Sequence, residues 1–129
     1  MKYLLDTSAV IALLKKEPVL LTWLRREMPA AFGLPAIVLH ELHYGAERSR
    51  RREQNLADLA LLPFDVVSVD ADDARAAGEI RASLEREGQS IGPYDLLIAG
   101  QALTRGLTLV SRNLREFSRI RGLQVVEGR

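Results

Sequence analysis

The chain has 129 residues and a mass of 14.4 kDa, with 47% apolar and 27% charged residues and a formal net charge of +1. That length suits one domain, here residues 1–129, with enough apolar content for a core that needs no covalent staples. The absence of cysteine excludes a disulfide scaffold, a thiol nucleophile, a Cys-zinc site and an iron–sulfur cluster, and fits a reducing cytoplasm.

In chain order, Lys2–Leu5 predicts a short strand that stops at Asp6. Asp6 also interrupts the amino-terminal apolar stretch early, and no small-residue cleavage site follows, so this end is read as folded structure and not as a signal peptide. No run reaches the roughly 18–20 apolar residues that a membrane span needs. Ala9–Lys16 reads as a helix capped by Thr7 or Ser8, and Pro18 opens a second helix over Val19–Met28. Ala30–Leu34 is a weak strand, and Pro35 opens a helix from Ala36 to about Ser49. Another helix runs from about Arg52 to Leu62, and Pro63 ends it. Phe64–Val69 is a valine-rich strand, and Ala71–Glu87 is the longest helix, stopped by Gly88. Pro93–Arg105 is helical up to Gly106, and strands follow at Leu107–Val110 and Leu123–Val126. Strands alternating with helices of this length predict an α/β fold with a largely parallel sheet.

Charge is unevenly spread. Gln54–Glu79 carries six acids against Arg75, while Arg48, Arg50, Arg51 and Arg52 form a basic cluster and Arg105–Arg121 is again basic. Fifteen of the eighteen basic residues are arginine, the side chain that grips phosphate bidentately. Trp23, with Leu20, Leu21 and Leu24, belongs to the core by the base rates for large apolar residues.

Ligands of open α/β sheets bind beyond the carboxyl ends of the strands, and Asp6 stands at one such end. With Thr7 and Ser8 able to cap the following helix, Asp6 reads as spare. Glu41 lies on a mostly apolar helix stripe with Ile37, Val38, Tyr44 and Gly45 a turn away, where an ionised carboxylate is costly unless paired or bound to a metal. Asp95 enters the first turn of an apolar helix, Leu96–Ala99, and so points into the crevice. Ser111, Asn113 and Glu116 leave the end of a fourth strand, where they suit capping a turn or orienting a ligand. Three hard carboxylates suit Mg²⁺ or Mn²⁺. His40 and His43 lack the four-residue spacing of a zinc helix and read as packing or surface residues. No glycine-rich phosphate loop, GxSxG or DxDxT pattern is present, and all three lysines precede Glu17.

Leu4-Leu-Asp-Thr-Ser8, Val38-Leu-His-Glu-Leu-His-Tyr-Gly45, Ile91-Gly-Pro-Tyr-Asp-Leu-Leu-Ile-Ala99 and Leu109-Val-Ser-Arg-Asn-Leu-Arg-Glu-Phe117 resemble, in order and spacing, the motifs of PIN-domain proteins. The resemblance runs from Met1 to about Val126 and is to the VapC-type toxins of bacterial type II toxin–antitoxin pairs, in the branch that includes FitB-like proteins. It implies a PIN-like three-layer α/β/α sandwich with a mainly parallel central sheet. It also implies a metal-dependent endoribonuclease acting on structured RNA, often tRNA, with Asp6, Glu41 and Asp95 as catalytic, Mg²⁺-binding acids and Mn²⁺ as a substitute. Thr7, Ser111, Asn113 and Glu116 would stand beside them, and Arg48, Arg112 and Arg115 would contact RNA phosphates. Many family members carry Asp where this chain has Asn113, which puts a second metal in doubt. A homodimer is implied, held inactive by a VapB-type antitoxin whose carboxyl-terminal segment enters the toxin's groove, with DNA bound only through that complex. The competing readings are a non-catalytic PIN-like module that binds RNA or regulates, and a purely structural partner.

Overall fold

A computed structural model describes residues 1–129. Five strands form one sheet: β1 (Tyr3–Leu5), β2 (Phe32–Pro35), β3 (Asp65–Val67), β4 (Thr108–Val110) and β5 (Val125–Val126). Their spatial order is β3-β2-β1-β4-β5, and every neighbouring pair is parallel. The sheet is thus wholly parallel, and the expected α/β/α sandwich is what forms.

Seven helices make the connections: α1 (Thr7–Leu14), α2 (Pro18–Leu24), α3 (Ala36–Arg48), α4 (Arg52–Ala60), α5 (Ala71–Arg86), α6 (Pro93–Arg105) and α7 (Leu114–Phe117). Helices α1–α4 join strands that step one way from β1, and α5–α7 join strands that step back. Right-handed crossovers therefore place the two groups on opposite faces. The direction of winding reverses between β1 and β4, and at such a switch point the strand ends leave a crevice.

Several boundaries are tighter than the sequence suggests. The strand expected at Ala30–Leu34 is β2, shifted to Phe32–Pro35, because Pro29–Ala31 closes a 3-10 turn first. Helix α2 ends at Leu24 and α4 at Ala60. Beyond α4, Pro63 disfavours helical geometry for Leu62. Strands β3 (Asp65–Val67) and β5 (Val125–Val126) are shorter than the sequence suggests, and α7 was not foreseen.

The core holds Leu4, Leu5, Val10, Leu34, Val38, Ile98, Leu109 and Phe117, all buried. Trp23 packs there, its ring centroid 5.0 Å from Tyr3 and 6.0 Å from Phe32. Helices α5 and α6 meet closely at Gly100, where an added Cβ would lie 2.6 Å from the Asp73 carbonyl oxygen. The same pair is tied by Asp73, whose buried carboxylate caps the Asp70 amide and accepts from Thr104 and Arg105.

Candidate active site

β1 delivers Asp6 to the switch point, since the Asp6 amide donates to the Val110 carbonyl of β4 at 3.1 Å. Asp6 is only 4% exposed. One carboxylate oxygen accepts from the Ala9 amide at 2.9 Å and the Ser8 hydroxyl at 2.6 Å, and the other accepts from the buried Ser111 hydroxyl. Asp6 is therefore the N-cap of α1, which corrects the expectation that Thr7 or Ser8 caps this helix and leaves Asp6 spare. Both hydroxyls serve the site instead. The Thr7 hydroxyl donates to Glu41 Oε1 at 2.8 Å, so Glu41 is held by a neutral donor and not by an arginine.

Glu41 projects from α3 and Asp95 from the first turn of α6. Burial raises the Asp95 carboxyl to about 6, helped by the negative charges of Asp6, Glu116 and Glu41. Burial also raises Asp6, and the bonds from Ser111, Ser8 and Ala9 only partly offset it, with Glu41 adding to the rise. The four carboxylates thus feel one another's field. No three of the chain's Asp, Glu and His side chains stand at direct metal-ligating spacing. The donor chemistry still fits a hard divalent cation, because Mg²⁺ keeps several waters and takes one or two carboxylates directly.

The loop after β4 completes the site. The Ser111 hydroxyl accepts from the Asn113 amide at 2.8 Å while donating to Asp6, and Asn113 Nδ2 donates to Glu116 at 2.9 Å. Asn113 thereby steers a carboxylate toward Asp95. The Arg112 amide donates to the Ser8 hydroxyl at 2.9 Å, so Ser8 links this loop to Asp6.

The expected phosphate contacts divide. The Arg112 guanidinium is paired with Glu17 and its Nε is buried without a partner, so its charge serves the α1–α2 corner and not the surface. Arg48 is exposed, lies over the Tyr44 ring at 5.1 Å and makes no ion pair. Arg115 is exposed on α7. Of the other arginines in the Arg48–Arg52 cluster, Arg50 and Arg51 are exposed and unpaired, whereas Arg52 is bound to Glu47. His40, expected as a packing or surface residue, is exposed and meets Tyr94 of α6.

A cavity of about 400 Å³ opens between α1, α3 and α4, reaching from Thr7 and Glu41 to Arg51 over a floor of Leu14, Leu42 and Leu59. No helix is long and apolar enough to cross a membrane.

Comparison with known proteins follows the same geometry. Residues 3–123 match the model of the PIN domain. The chain is 39% identical over 126 residues to the tRNA(fMet)-specific endonuclease VapC of Shigella flexneri, with 96% of each chain covered. It is 36% identical to ribonuclease VapC2 of Haemophilus influenzae, again with 96% of each covered. Among solved structures, it is similar to a chain of DNA-bound VapBC from Salmonella typhimurium, with a TM-score of 0.93, 38% identity, and 100% and 99% of the two chains covered.

Proposed function

The chain belongs to the PIN-domain family and to its VapC ribonucleases, and from that membership we propose that it is a Mg²⁺-dependent endoribonuclease cutting structured RNA, tRNA foremost. The observation that carries the metal dependence is the convergence of Asp6, Glu41 and Asp95 at the switch point, with Asp95 raised to about 6 by burial and by its acidic neighbours. A bare acidic crevice repels a phosphodiester, so a cation must accompany the substrate. Asp6, Glu41 and Asp95 would hold the cation, in part through its waters, and it would supply charge neutralisation and Lewis-acid polarisation of the phosphoryl group.

The chain's own residues do the rest. Ser8, Ser111 and the Ala9 amide fix both oxygens of Asp6, and Thr7 fixes Glu41. Asp6, Glu41 and Asp95 would position the attacking water, whose proton passes to solvent. The water oxygen bonds to phosphorus, the P–O3′ bond breaks and O3′ takes a proton from solvent, leaving 3′-hydroxyl and 5′-phosphate ends.

As a VapC protein, the chain is the toxin of a toxin–antitoxin pair. The VapBC complex from Salmonella typhimurium supports a VapB-type partner and DNA binding through the complex. We place the antitoxin's carboxyl-terminal segment in the apolar-floored cavity beside Thr7 and Glu41, and expect a homodimer in the cytoplasm.

Purified protein incubated with total tRNA in Mg²⁺ or EDTA, beside Asp95→Asn, tests the reading. Discrete fragments are expected only from the wild type in Mg²⁺. Cleavage by Asp95→Asn at the wild-type rate defeats the assignment. Retention of RNA without cleavage in Mg²⁺ or Mn²⁺ assigns the chain instead to the non-catalytic RNA-binding class.

A further inference from the structure

Two of the chain's three tyrosines, Tyr44 and Tyr94, are exposed, at 57% and 45%. The third, Tyr3, packs with Trp23 and Phe32. Core packing therefore gives no reason for the exposed pair. Their placement is not scattered: His40, Tyr44 and Arg48 occupy successive turns of one face of α3, about 6 Å apart along the axis. Tyr94, on the first turn of α6, meets His40 edge-on, with centroids 5.7 Å apart and planes at 90°. The Tyr94 hydroxyl lies 3.4 Å from His40 Nε2. His40 immediately precedes Glu41, and Tyr94 immediately precedes Asp95. One end of this stripe thus lies on the turns of α3 and α6 that also carry Glu41 and Asp95. Its other end is Arg48, seated on the Tyr44 ring, followed by the unpaired Arg50 and Arg51.

We propose that His40, Tyr44 and Tyr94 form a stacking ledge for unpaired RNA bases next to the scissile phosphodiester, with Arg48, Arg50 and Arg51 holding the backbone farther out. The inference rests on the ribonuclease reading and deepens it. At the mouth itself Arg112 is committed to Glu17 and is not free to grip a phosphate. An aromatic face binds a base without needing opposite charge, and π faces alternating with guanidinium groups are the composition of single-strand binding surfaces.

The probe is an RNA hairpin with 2-aminopurine in its loop, whose fluorescence is quenched on stacking. Binding is read in an Asp95→Asn background, and KM and kcat with Asp95 intact. Tyr94→Leu keeps apolar bulk but removes the π face, and is expected to raise Kd and KM about 10-fold, within the range seen for stacked bases, with kcat little changed and the quench lost. Tyr94→Phe and Tyr94→Trp should restore both. The loss should be equal at low and high salt, whereas the contribution of Arg50 and Arg51 should fade with salt. Unchanged Kd, KM and quench in Tyr94→Leu overturn the ledge. So does a change of oligomeric mass in the Tyr44→Ala/Tyr94→Ala double variant with hairpin affinity intact, which makes the stripe a protein contact. Failure of the wild type to cut any RNA defeats the nuclease reading separately, since the binding arm does not depend on turnover.

Discussion

Replacing Asp95 with Asn should destroy cleavage and stabilise the protein at the same time. The carboxyl has an ordinary value of 3.8 and stands at about 6 in the fold. At 1.36 kcal/mol per pH unit, that difference sets a ceiling of about 3 kcal/mol on the strain of ionising it. Asp95 is only partly buried, so solvent screening reduces this to about 1–2 kcal/mol. With an unfolding entropy of about 2.1 cal/mol/K per residue, the gain corresponds to roughly 4–7 °C in Tm. Because the folded value is raised, Asp95 costs no stability below about pH 4, and its cost grows as pH rises to about 6. The advantage of Asp95→Asn should therefore be absent near pH 3.5, grow between about pH 4 and 6, and level off above. Mg²⁺ should raise the wild-type Tm at pH 7.5 and raise that of the variant much less, since a ligand stabilises only the state that binds it. Thermal melts across pH with and without Mg²⁺ measure both effects. Equal melting temperatures at pH 7.5, or equal Mg²⁺ shifts in the two proteins, would refute this account of the site's electrostatics.

Two further outcomes follow from single hydrogen bonds. Ser111→Ala removes a buried donor to Asp6 and a partner of the Asn113 amide. Hydrogen bonds to charged groups contribute about 1.5–3 kcal/mol, so the acid limb of the pH–rate profile should move up by about one pH unit, while Ser111→Thr keeps it in place; superimposable profiles for Ser111→Ala and wild type would count against the positioning role. Asp73→Asn breaks the link to Arg105, and urea denaturation at pH 7 should show a loss of about 1–3 kcal/mol, moderated because Arg105 reaches solvent. Burial alone would raise Asp73, but Arg105, the Asp70 amide and Thr104 hold it below the ordinary range, so its contribution is present above about pH 4 and should shrink as pH falls further. Equal urea midpoints at pH 7 would show that the network contributes nothing.

The strand–helix alternation was legible because proline and glycine punctuate it: Pro18, Pro93 and Gly106 each fall at a helix end, and Gly106 adopts the left-handed conformation that closes α6. The positions of Asp6, Glu41 and Asp95 were legible for a related reason, since each interrupts or borders an apolar run at a strand end or on a core-facing helix. What escaped were the long-range polar assignments. Ser8 looks like a helix cap from its neighbours alone, and only the Arg112 amide, 104 positions away, shows why its hydroxyl turns to Asp6. The Arg112–Glu17 and Asp73–Arg105 pairs span 95 and 32 positions. Any arginine in this chain has many acids to choose from, and sequence spacing does not select among them. Helix α7 escaped because four residues carry too little periodicity to register.

Asp6 and Asp73 separate structural from functional acidity within one molecule. Both are buried, at 4% and 0% exposure, and both carboxylates cap helix amino termini. Both also accept a side-chain hydroxyl and a backbone amide. They differ in what completes the shell. Asp73 receives a guanidinium, so its charge is cancelled locally and its carboxyl is held low. Asp6 receives a second hydroxyl in place of a cation, so burial, with Glu41 adding to it, pushes its carboxyl up in spite of those hydroxyl bonds. Hydroxyl donors fix the direction of a carboxylate without neutralising it. Had an arginine stood in place of Ser8 or Ser111, the site would be more stable and would have no residual charge with which to attract a divalent cation. The destabilised acid is the one positioned at the switch point, where the fold leaves room for a ligand, and a perturbed acid in such a crevice is a candidate for chemistry.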